Sequence, residues 1–153
     1  MRRDQHSDIK AVQLLSAALK TATFSSTGVD LTGFNAVDFL IDCGTITNVA
    51  NSPQPSWTFK LQESDDDSTY TDVTDSNDVL VGSAASPVAA PNASTGVFLT
   101  IDSAAEDAAL YRIGYIGDKR YARVVATAAN TPGNTPMSIC AVLGYPNLRP
   151  TAD

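Results

Sequence analysis

Residues 111–127 read YRIGYIGDKRYARVVAT, and this pattern predicts two β-strands joined by a tight turn. Large apolar residues alternate with polar or small ones on both sides of Gly117-Asp118. A period of two is typical of a strand that buries one face. A Gly-Asp pair between two such runs is typical of a hairpin turn. The stretch therefore predicts an antiparallel hairpin.

Similar alternating runs occur on the N-terminal and C-terminal sides of this stretch. They include residues 36–46, 57–62 and 137–143, and the segments between them are rich in Pro, Gly, Asn and Ser. We count about eight short strands and no amphipathic helix between them. The predicted fold is all-β: a single-domain antiparallel β-sandwich, jelly-roll-like, with long loops and an extended N-terminal arm.

The domain organisation follows from where the alternation begins and ends. We assign residues 1–10 to an N-terminal arm, residues 11–146 to the sandwich and residues 147–153 to a C-terminal tail. The start of the sandwich is ambiguous, because apolar residues near its beginning also fit the spacing of a helix face. We expect extended structure from about Ala17. Residues 83–95 predict a long loop.

The charge balance bears on the choice of partner. Ten basic residues against seventeen acidic ones give a net charge of −7. Modules that bind duplex nucleic acid are usually basic, so we expect no nucleic-acid partner. No apolar run reaches the roughly 18 residues needed to cross a bilayer, and no secretory signal is recognisable, so we expect no membrane partner.

Residues able to carry chemistry are few. His6 is the single histidine and lies in the predicted arm, which argues against most catalytic schemes that need a histidine base. We expect no catalytic residue, no cofactor and no enzymatic activity. Asp65-Asp66-Asp67 lacks calcium-loop spacing; a solvated acidic turn and a cation site both remain open. Cys43 and Cys140 are read as buried residues, with a disulfide as the alternative.

Six basic residues are candidates for contact with a partner protein. Four lie on the predicted hairpin and two in the predicted arm: Arg112, Lys119, Arg120, Arg123, Arg2 and Arg3. Together the hairpin residues would form a basic patch, and residues 63–78 supply an acidic one. Opposite patches suggest head-to-tail packing between identical subunits or contact with a lattice. Pairing within the chain, or simple exposure, is the alternative.

Several phrases along the chain resemble a known group of proteins. They are FKLQESDD at residues 59–66, YTDV at 70–73, YRIGYIG at 111–117, KRYARVV at 119–125 and GYP at 144–146. The chain resembles small proteins encoded in the structural gene clusters of tailed bacteriophages and gene transfer agents. The resemblance extends from about Val29 to Pro146. It implies no catalytic residues.

The resemblance implies a structural protein of a virion. Some members are similar to head-decoration (cement) or head-spike-base proteins, which sit on the capsid lattice. The implied partners are the phage major capsid protein and further copies of this chain, with a trimer favoured. The implied location is the capsid surface, after assembly in the bacterial host cytoplasm. The alternatives are a tail or neck component, or a glycan-binding sandwich that would need exposed aromatic residues such as Trp57 or Tyr70.

Overall fold

A computed structural model describes residues 6–82 and 88–148. Within them the chain forms strands β1 (Lys10–Lys20), β2 (Phe24–Ser25), β3 (Val29–Asp30), β4 (Phe34–Cys43), β5 (Ser56–Ser64), β6 (Thr71–Asp72), β7 (Val79–Leu80), β8 (Val97–Ile101), β9 (Ala109–Tyr115), β10 (Tyr121–Ala129) and β11 (Thr135–Pro146). Two 3-10 helices, His6–Asp8 and Ser76–Asp78, complete the regular elements of the described chain.

The strands form two antiparallel sheets. The first sheet has the order β1-β11-β4-β9-β7. In the second sheet β10 and β5 lie at the centre; β2 and β3 share the free edge of β10, and β6 and β8 share the free edge of β5. The prediction of an all-β, antiparallel sandwich is confirmed.

The strand order is that of a jelly roll. Because β2 and β3 pair with the same edge of β10, they act as one interrupted strand. If the two-residue strands β6 and β7 are left aside, the sheet β1-β11-β4-β9 faces the sheet β2/β3-β10-β5-β8. Strands that follow one another in the chain then alternate between the sheets except for β5 and β8. This is the arrangement of two interleaved Greek keys. The predicted jelly-roll character is therefore confirmed.

The core lies between the two sheets. Alternate residues of each long strand point into it, and Phe39 and Ile41 of β4 and Phe59 of β5 are fully buried. Trp57 is also fully buried, and its Nε1 donates a hydrogen bond of 3.0 Å to Oγ1 of buried Thr135 on the opposite sheet. The one polar atom of this large side chain is thus satisfied inside the core.

The predicted hairpin at residues 111–127 is wrong. β9 pairs with β4 and β7 in the first sheet, whereas β10 pairs with β5, β2 and β3 in the second. Residues 116–120 therefore cross from one sheet to the other, and we call them the crossover loop. Alternation identifies a strand and its buried face, but it carries no information about which strand lies beside it.

The crossover loop is held against the core by one tyrosine. The hydroxyl of buried Tyr115 donates to Glu63 Oε2 at 2.7 Å and accepts from the backbone N–H of Lys119 at 3.2 Å. Gly117 lies so close to the Tyr115 ring that a Cβ at this position would overlap it. The glycine predicted to make a hairpin turn instead permits this close approach.

Two further expectations concern β1 and the cysteines. β1 is extended from Lys10 rather than from about Ala17, because it pairs with β11 along its length. Irregular register after Gln13 disturbs its alternation, which explains the ambiguous pattern.

Cys43 and Cys140 are both free, since Cys43 points into the core and Cys140 lies on the outer side of the first sheet. The alternative of a disulfide is not realised.

Candidate partner-contact surfaces

One end of the sandwich gathers several loops and both ends of the described chain. The pairing of Leu143 with Lys10 and Val37, and of Val37 with Tyr115, places the start of β1 and the ends of β9 and β11 at the same level. At this level Tyr121, at the start of β10, pairs with Ser64 at the end of β5. We call this region, which includes the crossover loop and residues 30–35, 64–70 and 144–148, the crossover end.

Two of the predicted basic residues lie at the crossover end, and each pairs with an acid of the same chain. Lys119 Nζ is 2.9 Å from Asp65 Oδ2. The guanidinium of Arg120 donates to both carboxylate oxygens of Asp30, at 2.7 and 3.2 Å. This Arg120 hydrogen bond holds the pKa of Asp30 well below its usual range. Both ion pairs are exposed, so water screens them.

The crossover end also exposes large apolar side chains. The exposed fractions are 42% for Ile116, 75% for Tyr145 and 84% for Leu148. Tyr145 has a φ of 52°, and its backbone carbonyl accepts a hydrogen bond of 2.7 Å from Asn35 Nδ2. The backbone of this segment is therefore tied to the neighbouring loop, while its apolar side chains remain exposed.

The three consecutive aspartates at the crossover end have separate partners. Asp65 pairs with Lys119, and Asp67 accepts a hydrogen bond from the hydroxyl of Tyr70. Asp66 caps the loop: the backbone N–H groups of residues 69 and 68 donate to it at 2.8 and 2.9 Å and lower the pKa of its carboxyl. Among the described residues, no group of three or more His, Cys, Asp or Glu side chains could hold a metal ion.

Arg123 lies beside the crossover end, on the outer face of the second sheet. It donates twice to Gln62 Oε1, at 2.9 and 2.7 Å, and Gln62 donates to Asp72 at 2.8 Å. Lys60 completes the row through a 2.7 Å ion pair with Asp72. We call these four side chains the polar ladder. The Arg123 guanidinium also lies 3.8 Å from the ring centroid of Tyr70, a cation–π contact.

Arg112 lies on the opposite side of the molecule, on the outer face of the first sheet. It is exposed and sits opposite Leu40, and it forms no ion pair with any residue that the structure describes. The four basic residues of residues 111–127 therefore do not form one patch. The reason is the misassigned hairpin, since β9 and β10 belong to different sheets. Arg2 and Arg3 lie outside the described residues.

The outer face of the first sheet is largely apolar, and we call it the open face. Leu80 and Leu110 are 55% and 65% exposed. The other outward residues on β4, β9 and β11 include Asp38, Leu40, Asp42, Arg112, Cys140 and Val142. Gly114 and Gly144 have no side chains there, which leaves a groove of about 410 Å³ bordered by Asp38, Leu80 and Tyr145.

The aromatic residues predicted for a glycan platform do not form one. Trp57 is fully buried, and Tyr70 is half-buried with Arg123 stacked on its ring. Among the described residues, the exposed aromatic is Tyr145 at the crossover end, which lies in the GYP phrase at residues 144–146. The signal for the open face was present, because the outward positions of β4 and β11 include Leu40 and Val142, where a wet face would carry polar residues.

Comparisons with known proteins give structural likeness without sequence relatives. No protein-family model matches the chain, and no curated protein matches it. Among solved structures, the PBSX exported protein XepA has a TM-score of 0.51 at 15% identity; the match covers 94% of this chain and 40% of XepA. The chain thus spans two fifths of the length of XepA. This likeness supports the β-sandwich fold.

Two further solved structures are similar at a lower level. The SPBc2 prophage-derived protein YomS has a TM-score of 0.40 at 12% identity, with 90% of this chain and 94% of YomS covered. The CBM22-1 xylan-binding domain of Xyn10C from Paenibacillus barcinonensis has a TM-score of 0.41 at 6% identity, and the match covers 95% of this chain and 88% of that domain.

In the described part of the chain, no helix is long and apolar enough to span a membrane.

Proposed function

We propose that this chain is a structural protein of a tailed-phage virion that docks on the outer capsid surface as a decoration or head-spike-base protein. The observation that carries the proposal is the crossover end. It combines exposed apolar side chains, Ile116, Tyr145 and Leu148, with two exposed basic residues. The sequence resemblance to phage structural proteins and the fold shared with XepA, named for the PBSX prophage, support it.

The proposed mechanism is physical and involves no reaction. Docking buries the apolar side chains of the crossover end against the capsid, which is favourable in proportion to the area removed from water. Lys119 and Arg120 can exchange their own aspartates for capsid carboxylates at small cost, because exposed ion pairs contribute little to stability. A protein that binds only the assembled lattice stabilises that lattice by mass action.

The test measures binding to purified expanded heads of the phage whose gene cluster encodes the chain. We expect the wild-type protein to co-sediment with the heads and to raise their disruption temperature. Ile116→Asp and Leu148→Asp should each reduce binding, since a carboxylate at the contact must lose its hydration. No binding of the wild-type protein at micromolar concentration would sink the proposal.

The matched control is Leu19→Asp. Leu19 is 63% exposed and pairs with Pro136, so the same chemical change is made at the opposite end of the sandwich. It should leave head binding unchanged; equal losses for Leu19→Asp and Leu148→Asp would reject the crossover end as the contact. Counting copies per particle separates decoration, which needs many, from a neck or tail ring, which needs few.

A further inference from the structure

The open face carries two charged side chains, Asp38 and Arg112, that form no ion pair with any residue that the structure describes. Asp38 is half-buried at the groove and accepts no hydrogen bond from any residue that the structure describes. Arg112, on the neighbouring strand, likewise forms no ion pair with a described acid. Elsewhere Asp30, Asp65 and Asp72 all pair with a base. A half-buried carboxylate without a donor is costly unless something supplies one.

The position of Asp38 directs its carboxylate into the groove. It lies opposite Gly114, and its Oδ1 is 3.1 Å from the place that a Cβ on Gly114 would occupy. The carboxylate therefore fills the space above the glycine, beside Leu80 and Val142 at the groove wall. A cationic side chain of another molecule that enters the groove would meet the Asp38 carboxylate among apolar side chains. In such a setting a charge-assisted hydrogen bond is strong.

We propose that the open face binds a second copy of this chain, with Arg112 of each copy reaching Asp38 of the other. Both halves of the complementary pair are on the same face, one strand apart and two residues apart in register. A two-fold axis through the face brings each arginine to the other copy's aspartate. Such an isologous contact closes at two copies.

The extent of the face suits such a contact. The first sheet has five strands, and β4 is ten residues long. Because β9 has seven residues and β7 only two, the outer face of the sheet measures roughly 700 Å² at about 4.8 Å between strands and 3.4 Å per residue, slightly less than the roughly 800 Å² that each partner contributes to an interface of standard size. Leu80 and Leu110 would be removed from water, which supplies the apolar part of the association.

The experiment measures the mass of the purified full chain in solution by light scattering across a concentration series at physiological ionic strength. There the repulsion between two chains of net charge −7 is screened. We expect twice the chain mass of 16.1 kDa at high concentration. Asp38→Arg and Arg112→Asp should each weaken dimerisation at least about tenfold, and the double variant should restore it, since the swapped pair is again complementary.

Asp118→Arg is the matched control, because it makes the same charge change on the crossover loop, and it should leave dimerisation unchanged. Asp38→Asn and Arg112→Gln, checked by circular dichroism, replace the reversals if those do not fold. A monomer at every concentration, a trimer, or a dimer unaffected by either single variant would overturn the inference. The test uses no heads, so its failure leaves the proposed capsid role standing, and the converse also holds.

Discussion

The outer faces of the two sheets have opposite character. On the second sheet, Lys60, Asp72, Gln62 and Arg123 form a continuous row of hydrogen bonds and ion pairs. On the open face, Asp38 and Arg112 lie among apolar residues without a described partner. A face whose polar groups are mutually satisfied is suited to water. A face with exposed apolar groups and unpaired charges is suited to a protein partner.

The largest effect on stability is expected when the residue types at the centres of the two outer faces are exchanged. Gln62 links Arg123 to Asp72, so Gln62→Leu removes three hydrogen bonds at once. We expect a loss of about 1–3 kcal/mol in the free energy of unfolding, since partly buried charged groups lose their partners. Urea denaturation followed through the fluorescence of buried Trp57 measures this loss.

The matched variant is Leu40→Gln at the centre of the open face. Leu40 is half-buried and faces outward opposite Arg112, so a glutamine there keeps its hydration. We expect a change in the free energy of unfolding of less than about 1 kcal/mol. If Leu40→Gln proved as costly as Gln62→Leu, the two outer faces would not differ in the way argued above.

Lowering the pH should reveal a smaller difference in stability between the two outer faces. Burial tends to raise the pKa of Asp72, but hydrogen bonds from Lys60 and Gln62 outweigh it and lower the pKa. Because the folded-state pKa lies below the unfolded one, this stabilisation is complete above about pH 4 and is lost as the pH falls through the folded value. Since Asp72 is partly exposed, we expect a contribution below about 1 kcal/mol.

Melting temperatures measured from neutral pH down to about pH 2 test this expectation. Asp72→Asn should flatten the acid limb of the curve, and Asp42→Asn on the open face is the matched control. Asp42 is exposed and forms no described ion pair. An identical acid limb for wild type and Asp72→Asn would contradict a stabilising contribution from the lowered pKa of Asp72.

The sequence predicts the strands of this fold well and their neighbours poorly. Alternation identifies β4, β5, β9, β10 and β11, because burial of one face imposes a period of two on each strand. The hairpin prediction is wrong because pairing is decided by contacts between strands distant in sequence. β4 and β9 pair across Phe39 and Ile113, for example, although more than seventy residues separate them.

The same limit explains what could be foreseen of the candidate surfaces. Lys119 and Arg120 were predicted as candidates for contact with a partner protein, but their pairing with Asp65 and Asp30 depends on the crossover between sheets and could not be foreseen. Asp38 is unremarkable in the sequence, since its lack of a partner among the described residues depends on the strands on either side of it. The local sequence pattern indicates on which face of a sheet a residue lies, whereas only the tertiary structure shows which residues it contacts.

The smallest effect expected is on the reactivity of one thiol, and it bears directly on what covers the open face. Cys43 is fully buried, and this burial raises its pKa to about 12, so it should not react in the native protein. Cys140 is half-buried on the open face, beside Leu40. A thiol reagent should therefore modify about one cysteine per native chain, since thiol reactivity requires access to the sulfur.

The concentration dependence of that reaction provides the sharper test. If a second copy covers the open face, the rate of modification of Cys140 should fall as the protein concentration rises, because dimerisation removes the thiol from solvent. Asp38→Arg, which should weaken dimerisation, should shift this fall in rate to at least about tenfold higher protein concentration. A rate that is constant for the wild-type protein across a range in which its mass doubles would place the contact elsewhere, since Cys140 would then remain accessible in the dimer.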